Sequence, residues 1–170
     1  MMNLSREVLK TDREIADRVR QLGREITDHY RGSEISMLGV LKGSFIFMAD
    51  LAREVKVPVQ IGFLEIVTAR KSAFITEIAF SSSFPVEGSH VLIVEDILDT
   101  GVTQAYLMEQ LQLYNPRSLR LCSLLDKPHR RKVDLQVDHT GFDAPDRHVV
   151  GYGLDYSGHF ANLPFLGYVD

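Results

Sequence analysis

The sequence has a single cysteine, Cys122, which excludes a disulfide framework and a cysteine-built zinc site within one chain. No apolar run reaches the roughly 18 uncharged residues that a membrane-spanning helix needs. Residues 1–12 carry charge where a secretion signal would carry an apolar stretch. With 19 Lys and Arg against 23 Asp and Glu, the net charge of −4 lacks the positive excess that argues for broad binding to nucleic acid. Internal repeats, low-complexity tracts and linkers are also missing. What remains is ordinary: of 170 residues, 45% are hydrophobic and 25% charged, the balance of a folded globular domain. The length suits one domain, 1–170, with a real core, and the expected location is cytoplasmic.

The chain opens on a helix. Thr11 and Glu14 are spaced as a capping box, Ile15, Val19, Leu22 and Ile26 share one face, and Gly32 marks a stop after Tyr30. Ile35 to Leu41 has strand length, and a second helix follows with Phe45, Met48, Leu51 or Ala52, and Val55 on its buried side. Val57, Val59, Ile61 and Phe63 alternate with period two, which predicts a strand with Pro58 at its start or on an edge. Phe74 to Phe80 reads as a returning strand. Val91 to Val94 has no polar alternation and predicts a strand buried on both faces. A helix from Val102 to Tyr114 halts at Asn115-Pro116, and Leu119 to Leu125 forms another strand, with Cys122 as a core side chain. His148 to Val150 is a short strand, and the rest of the tail reads as irregular. Strands alternating with helices predict an α/β fold built on a parallel sheet.

The chemistry concentrates in Val91 to Thr103. A buried strand ends in Glu95 and Asp96, and an Asp99-Thr100-Gly101-Val102-Thr103 turn then leads into a helix. Open α/β sheets bind ligands at that end of their strands. Turn N–H groups, the helix N-terminus and the hydroxyls of Thr100 and Thr103 make a cradle for a phosphate, which Gly101 lets the backbone approach. Three carboxylates beside it would repel a bare phosphate; they suit sugar hydroxyls or a hard cation such as Mg²⁺. Acidic residues before a helix also serve as plain caps, yet a cap needs neither the wholly apolar strand before nor the Thr-Gly-x-Thr after. The physics points to a phosphorylated sugar with a divalent metal nearby.

Val91–Thr103 resembles the phosphoribosyl-pyrophosphate (PRPP) binding motif of type I phosphoribosyltransferases. The chain is similar to their 6-oxopurine branch in four further segments: Leu38 to Phe45, Leu124 to Pro128, Gly141-Phe142, and Val149 to Tyr156. Order and spacing match from about Ile35 to Val169, nearly the full length. The resemblance implies a parallel sheet with helices on both faces (a core over about 35–145) and a small hood from about 1–10 and 146–170. It further implies transfer of a 5-phosphoribosyl group from PRPP to hypoxanthine, with guanine as a second substrate, releasing pyrophosphate and a nucleoside monophosphate. Asp99 would be the general base for the purine imidazole proton, and Glu95 and Asp96 would hold ribose hydroxyls and metal-bound water. Asp99 to Thr103 would wrap the 5′-phosphate, and Lys42 and Gly43 would contact pyrophosphate, through a cis peptide in many relatives. Lys127 would donate to the 6-oxo group, which selects against a 6-amino group. Ile97, His148 and the backbone of Val149 would complete the purine site, and Asp155 would join Glu95 and Asp96 at Mg²⁺. A homodimer or homotetramer is implied as well.

Three positions depart from the family pattern. The stretch Glu65 to Phe74 lacks the Ser-Tyr pair of the loop that closes over PRPP, leaving Arg70 and Lys71 as its positive charges. His148 stands where an aromatic ring usually stacks on the purine, and Ala161 where an arginine usually lies near pyrophosphate, with His159 a nearby cation. Two alternatives follow: a shifted base preference, or a non-catalytic PRPP- or nucleotide-binding regulator, for which Lys127 to Lys132 would supply a basic patch. The residues His129, Arg130, Arg131 and Lys132 otherwise read as a solvated face.

Overall fold

The computed structural model of the chain describes residues 4–68, 75–80 and 84–169, with side chains over 4–66 and 84–169. Among the described residues, nine strands and three α-helices run in the order β1 (Leu4–Lys10), α1 (Asp12–His29), β2 (Ile35–Leu41), α2 (Phe45–Glu54), β3 (Val59–Thr68), β4 (Ile75–Phe80), β5 (His90–Leu98), α3 (Val102–Gln112), β6 (Ser118–Asp126), β7 (His139–Asp143), β8 (Val149–Val150) and β9 (Leu166–Val169). Helix α1 begins as expected: Thr11 N donates to Glu14 Oε2 (2.9 Å) and Glu14 N donates to Thr11 Oγ1 (3.3 Å). Its buried arc is Ile15, Val19, Leu22, Gly23 and Ile26.

Six strands form the central sheet in the order β4-β3-β2-β5-β6-β7. All neighbours are parallel except β4, which returns antiparallel along β3 at the edge. Helices α1 and α2 cover one face over Ile35, Met37, Leu92, Val94, Cys122 and Leu124. Helix α3 covers the other, placing Leu107 and Leu111 over Leu38, Val40, Val91, Ile93 and Leu121. Apolar surface lies on both sides of the central strands, so β5 is buried throughout Val91–Val94, as its unbroken apolar run predicts. A second sheet, β1-β9-β8, antiparallel throughout, joins the two ends of the chain into the hood.

Four expectations change. The chain opens on β1, not on a helix. This strand is half-exposed and mostly polar, and it is organised by pairing with β9 across the full length of the chain. The tail is ordered into β9 rather than irregular. Strand β7 carries no alternating pattern; it is held at the sheet edge by Arg18 of α1, which donates from Nε to the Gly141 carbonyl (3.0 Å) and from a terminal nitrogen to the Thr140 carbonyl (2.6 Å). On α2 the buried arc is Phe47, Met48 and Leu51, which leaves Phe45 47% exposed. Strand β3 follows suit: Gly62 and Leu64 are buried, whereas Ile61 is 53% exposed, because β2 and the helices cover only part of the face that carries the odd-numbered residues.

Candidate functional site

The sheet places its chemistry at the C-terminal ends of β2, β5 and β6. Strand β5 carries Glu95 and Asp96 at its end. Glu95 is only 3% exposed, and its Oε1 accepts from Gln104 Nε2 of α3 (3.0 Å). Asp96 Oδ1 accepts from the Ile97 N–H (2.8 Å). Burial, and then the charge of Asp96, pushes the Glu95 carboxyl well above the usual carboxylate range. Asp96 is raised too, chiefly by burial, with the charge of Asp155 adding to the push. Like-charged carboxyls withdrawn from water are costly unless something positive or richly donating meets them.

The β2–α2 loop comes against this pair. A β-carbon on Gly43 would overlap Asp96 Oδ2 and stand 2.6 Å from its Cγ, so only glycine lets the loop lie on that carboxylate. The Leu41–Lys42 peptide preceding it is cis. Gly153, with φ +103°, packs in turn on the Gly43 carbonyl oxygen, where any side chain would overlap it. Loop, carboxylate pair and the segment after β8 are thereby stacked backbone to side chain. The hairpin-like turn beyond Gly153 sets Asp155, whose Oδ2 accepts from the Gly158 N–H (2.5 Å). His148 is exposed and meets the Tyr156 ring edge-on at 4.7 Å, with Nε2 3.5 Å from the Asp155 carbonyl oxygen.

Between β5 and α3 the chain makes the turn read as a phosphate cradle. Gly101 caps α3 with φ +80°, a left-handed conformation that favours glycine, and no side chain caps the helix there. Arg131 donates to the Asp99 carbonyl (2.6 Å), and the Lys132 N–H donates to the Thr100 carbonyl (2.9 Å). In a trans peptide the N–H points opposite to its carbonyl, so the Thr100 and Gly101 N–H groups turn away from Arg131 and Lys132. The first turn of α3, which begins at Val102 and Thr103, follows directly with N–H groups that no side chain caps. The turn is shaped for an anion.

Register places the remaining pair. Leu98 on β5 lies opposite Asp126 on β6, so Asp99 and Lys127 leave adjacent parallel strands side by side, and the Lys127 N–H donates to the Leu98 carbonyl (2.9 Å). Lys127 is 7% exposed, and its Nζ donates to the Arg147 carbonyl (2.8 Å). Ile97 packs at the margin of the core, and Val149 is buried in β8 opposite Tyr168. Lys42 stays exposed on its loop. The structure thus gathers Gly43, Glu95, Asp96, Asp99 to Thr103, Lys127 and Asp155 at one end of the sheet, with His148 and Val149 in the adjoining hood. Of the stretch read as the lid, residues 65–68 belong to β3, and residues 69–74, with Arg70 and Lys71, lie outside the described residues.

In the run after Lys127, His129, Arg130 and Lys132 are exposed, as expected of a solvated face, while Arg131 is half-buried; the two arginines are nonetheless engaged. Arg130 pairs with both Asp99 and Asp146, and Arg131 pairs with Asp126. These two arginines, Gln104 and Gly153 are site residues that the motif reading passed over. A cationic run leaving β6 beside an acidic run leaving β5 is the signal that marks the arginines. Among the described residues no three histidine, cysteine or acidic groups are grouped so as to hold a metal ion by themselves. Glu95, Asp96 and Asp155 fit a hard cation only as part of a shell completed by ligand oxygens and water. No helix among the described residues is long and apolar enough to cross a membrane.

Comparison with known proteins agrees with this geometry. The sequence model of the family described as "Phosphoribosyl transferase domain" matches residues 5–157. The hypoxanthine phosphoribosyltransferase of Salmonella typhimurium is 45% identical over 168 residues, spanning 96% of this chain and 94% of that protein. The hypoxanthine-guanine phosphoribosyltransferase of Bacillus subtilis is 38% identical, spanning 95% and 91%. A crystal structure of a hypoxanthine-guanine phosphoribosyltransferase from Bacillus anthracis has a TM-score of 0.90 at 35% identity, covering 100% of this chain and 99% of that one. A likeness of this extent, in fold and in sequence, makes the chain an enzyme of the purine phosphoribosyl-transfer type: it belongs to the type I phosphoribosyltransferase family.

Proposed function

We propose that this protein transfers the 5-phosphoribosyl group of PRPP to hypoxanthine, and also to guanine, yielding IMP or GMP and pyrophosphate. The observation that carries this reading is that Asp99 and Lys127 each follow directly on the last register pair of two adjacent strands, Leu98 and Asp126, in a sheet whose strands lie about 5 Å apart. A 6-oxopurine presents N7 and O6 along one edge. A proton acceptor and an ammonium donor set side by side match that edge, and a 6-aminopurine would set donor against donor at Lys127.

The steps follow from the residues. The turn from Asp99 to Thr103 holds the 5′-phosphate through its outward N–H groups and the Thr100 and Thr103 hydroxyls. Glu95 and Asp96 hold the ribose hydroxyls. A purine ring nitrogen bonds to C1′ as the C1′–O bond to pyrophosphate breaks, and Asp99 takes the proton that the imidazole gives up. Lys42 and the Gly43 backbone face the departing pyrophosphate, while Ile97, His148 and Val149 enclose the base. Mg²⁺, held by Asp155 and by Glu95 and Asp96 through water, would neutralise the charge that develops on the pyrophosphate. The exposed Phe45 and Ile61, on the same face of the sheet, suit a subunit contact in a homodimer or homotetramer.

The test is a steady-state assay with PRPP and Mg²⁺ against hypoxanthine, guanine, xanthine and adenine, with Asp99→Asn as control. Nucleotide should form from hypoxanthine and guanine and not from adenine, and the control should lose roughly 10²-fold or more in kcat, the usual worth of general acid–base catalysis. An Asp99→Asn variant as fast as the parent would overturn the role of Asp99, and turnover of adenine would overturn that of Lys127.

A further inference from the structure

The two groups assigned to the purine are tethered to consecutive residues of one segment. Arg130 donates from Nε to Asp99 Oδ1 (2.5 Å) and from a terminal nitrogen to Asp146 Oδ1 (2.7 Å). Lys127, three residues earlier, donates from Nζ to the carbonyl of Arg147. Asp146 and Arg147 lead directly into His148 and Val149, the hood residues placed against the base. Each tether leaves bonding capacity unused. Asp99 Oδ2 accepts no hydrogen bond among the described residues, and the Lys127 ammonium has further N–H groups to give.

Exposed ion pairs of this kind add little to stability, and Arg130 is 39% exposed. A guanidinium that spans two carboxylates is nevertheless rigid, planar and directional. Asp99 sits on a turn, where its carboxylate would otherwise be free to rotate. With one oxygen fixed, the other is presented in a single orientation. The same guanidinium ties that orientation to the position of the hood.

We propose that Arg130 is a positioning residue for the phosphoribosyl transfer: it holds Asp99 by one oxygen so that the other faces the purine N–H, and it sets the distance between Asp99 and the hood through Asp146. This rests on the reading of Asp99 as the proton acceptor. Arg130 is bonded to the two carboxylates, Asp99 and Asp146, and acts through them.

The experiment is single-turnover kinetics with PRPP, Mg²⁺ and hypoxanthine, the enzyme in excess, on Arg130→Gln, Arg130→Lys, Asp146→Asn, Asp99→Asn and the Arg130→Gln/Asp99→Asn double variant. Arg130→Gln should slow the bond-forming step about 10-fold, the order of effect that loss of alignment produces, with the apparent Kd for PRPP within about twofold of the parent. Arg130→Lys should recover only part of that loss, because an ammonium reaches one carboxylate and cannot hold the fixed span between two, and Asp146→Asn should cost about threefold. On the Asp99→Asn background, Arg130→Gln should cost nothing more, as expected of residues that act as a unit. The proposal is overturned if Arg130→Gln leaves the step unchanged, weakens PRPP binding as much as it slows the step, or slows Asp99→Asn by the same factor as the parent. Full activity in Asp99→Asn, by contrast, would overturn the acceptor reading itself. Should Arg130→Gln fold poorly, the Arg130→Lys and Asp146→Asn variants carry the same comparison.

Discussion

At the C-terminal end of the central sheet, two neighbouring carboxyls, the buried Glu95 and the half-buried Asp96, have an amide and a backbone N–H as their donors among the described residues. At the N-terminal end, Tyr30, His90, Ser118, Arg120, Asp138 and His139 are also gathered, around the starts of β5, β6 and β7. Burial drives ionisable groups toward their neutral forms at both ends: Glu95 and Asp96 upward, the Tyr30 hydroxyl up to about 12, and His90 and His139 downward. The outcomes differ because the partners differ. At the N-terminal end the charged group is paired, Arg120 with Asp138, and His90 Nδ1 meets Ser118 Oγ (2.7 Å); Tyr30 Oη, His139 Nε2 and Arg120 Nε are buried without a hydrogen-bond partner among the described residues, but no two like charges are pressed together. At the other end two acids compete for one space, and a glycine backbone lies on top of them. Groups held in a self-consistent neutral cluster serve the fold, whereas like charges forced together mark a place waiting for a ligand.

The sharpest way to break this contrast is at Gly43. Gly43→Ala puts a β-carbon into Asp96 Oδ2 and too close to Asp96 Cγ for a spin of the carboxylate about its Cβ–Cγ bond to relieve it, so the loop must shift or the whole carboxylate must swing away. Turnover should fall about 100-fold or more in a steady-state assay, the penalty of an ångström-scale displacement in a site. A small effect would mean that the contact between loop and carboxylate is incidental. Next in size is Glu95→Gln. Its amide oxygen can still accept from Gln104, and the buried negative charge is gone. Tm at pH 7.5 should rise by about 2–4 °C, the shift that ~1 kcal/mol produces in a chain of this size, while turnover drops. A lower Tm would show Glu95 to be a structural partner rather than a cost borne for the site.

The part of the fold legible in the sequence is the part whose burial pattern is local. The capping box of α1, the unbroken apolar run of β5 and the stop at Asn115-Pro116 each depend on neighbours in the chain, and each appears where expected within a residue or two. Strands β1, β7 and β9 depend on partners far away in sequence and carry no period of their own, so they read as coil. The site divides in the same way. The acidic strand end and the Asp99–Thr103 turn are contiguous over Val91–Thr103 and could be read directly, whereas the left-handed conformation of Gly101 is added by the structure. Arg130 could not, since its partners Asp99 and Asp146 lie 31 and 16 residues away. The contact of Gly43 with Asp96 likewise exists only once β2 and β5 are neighbours.

The smallest effect should come from the N-terminal end, and it should touch stability without touching catalysis. His139 is buried beneath α1; Glu25 stands 3.6 Å from its Nδ1, Asp138 precedes it, and the ring of His29 lies 6.2 Å away. Burial is the largest influence and lowers its pKa, outweighing the pull of Glu25 and Asp138 in the other direction, while His29 adds to the lowering. The unfolded chain therefore takes up a proton near 6.5, the ordinary value for histidine, while the folded chain still resists it. In that window the unfolded state binds more protons, so stability rises with pH: the contribution is complete above 6.5 and is lost as pH falls through it. His90, lowered mainly by its own burial, acts in the same direction. Thermal melts of the parent should show Tm falling between pH 7.5 and pH 5.5, and His139→Gln should flatten that slope, with turnover at pH 7.5 unchanged. If the variant keeps the parent's full slope, the neutral cluster at this end is not what titrates, and the contrast between the two ends of the sheet loses its physical basis.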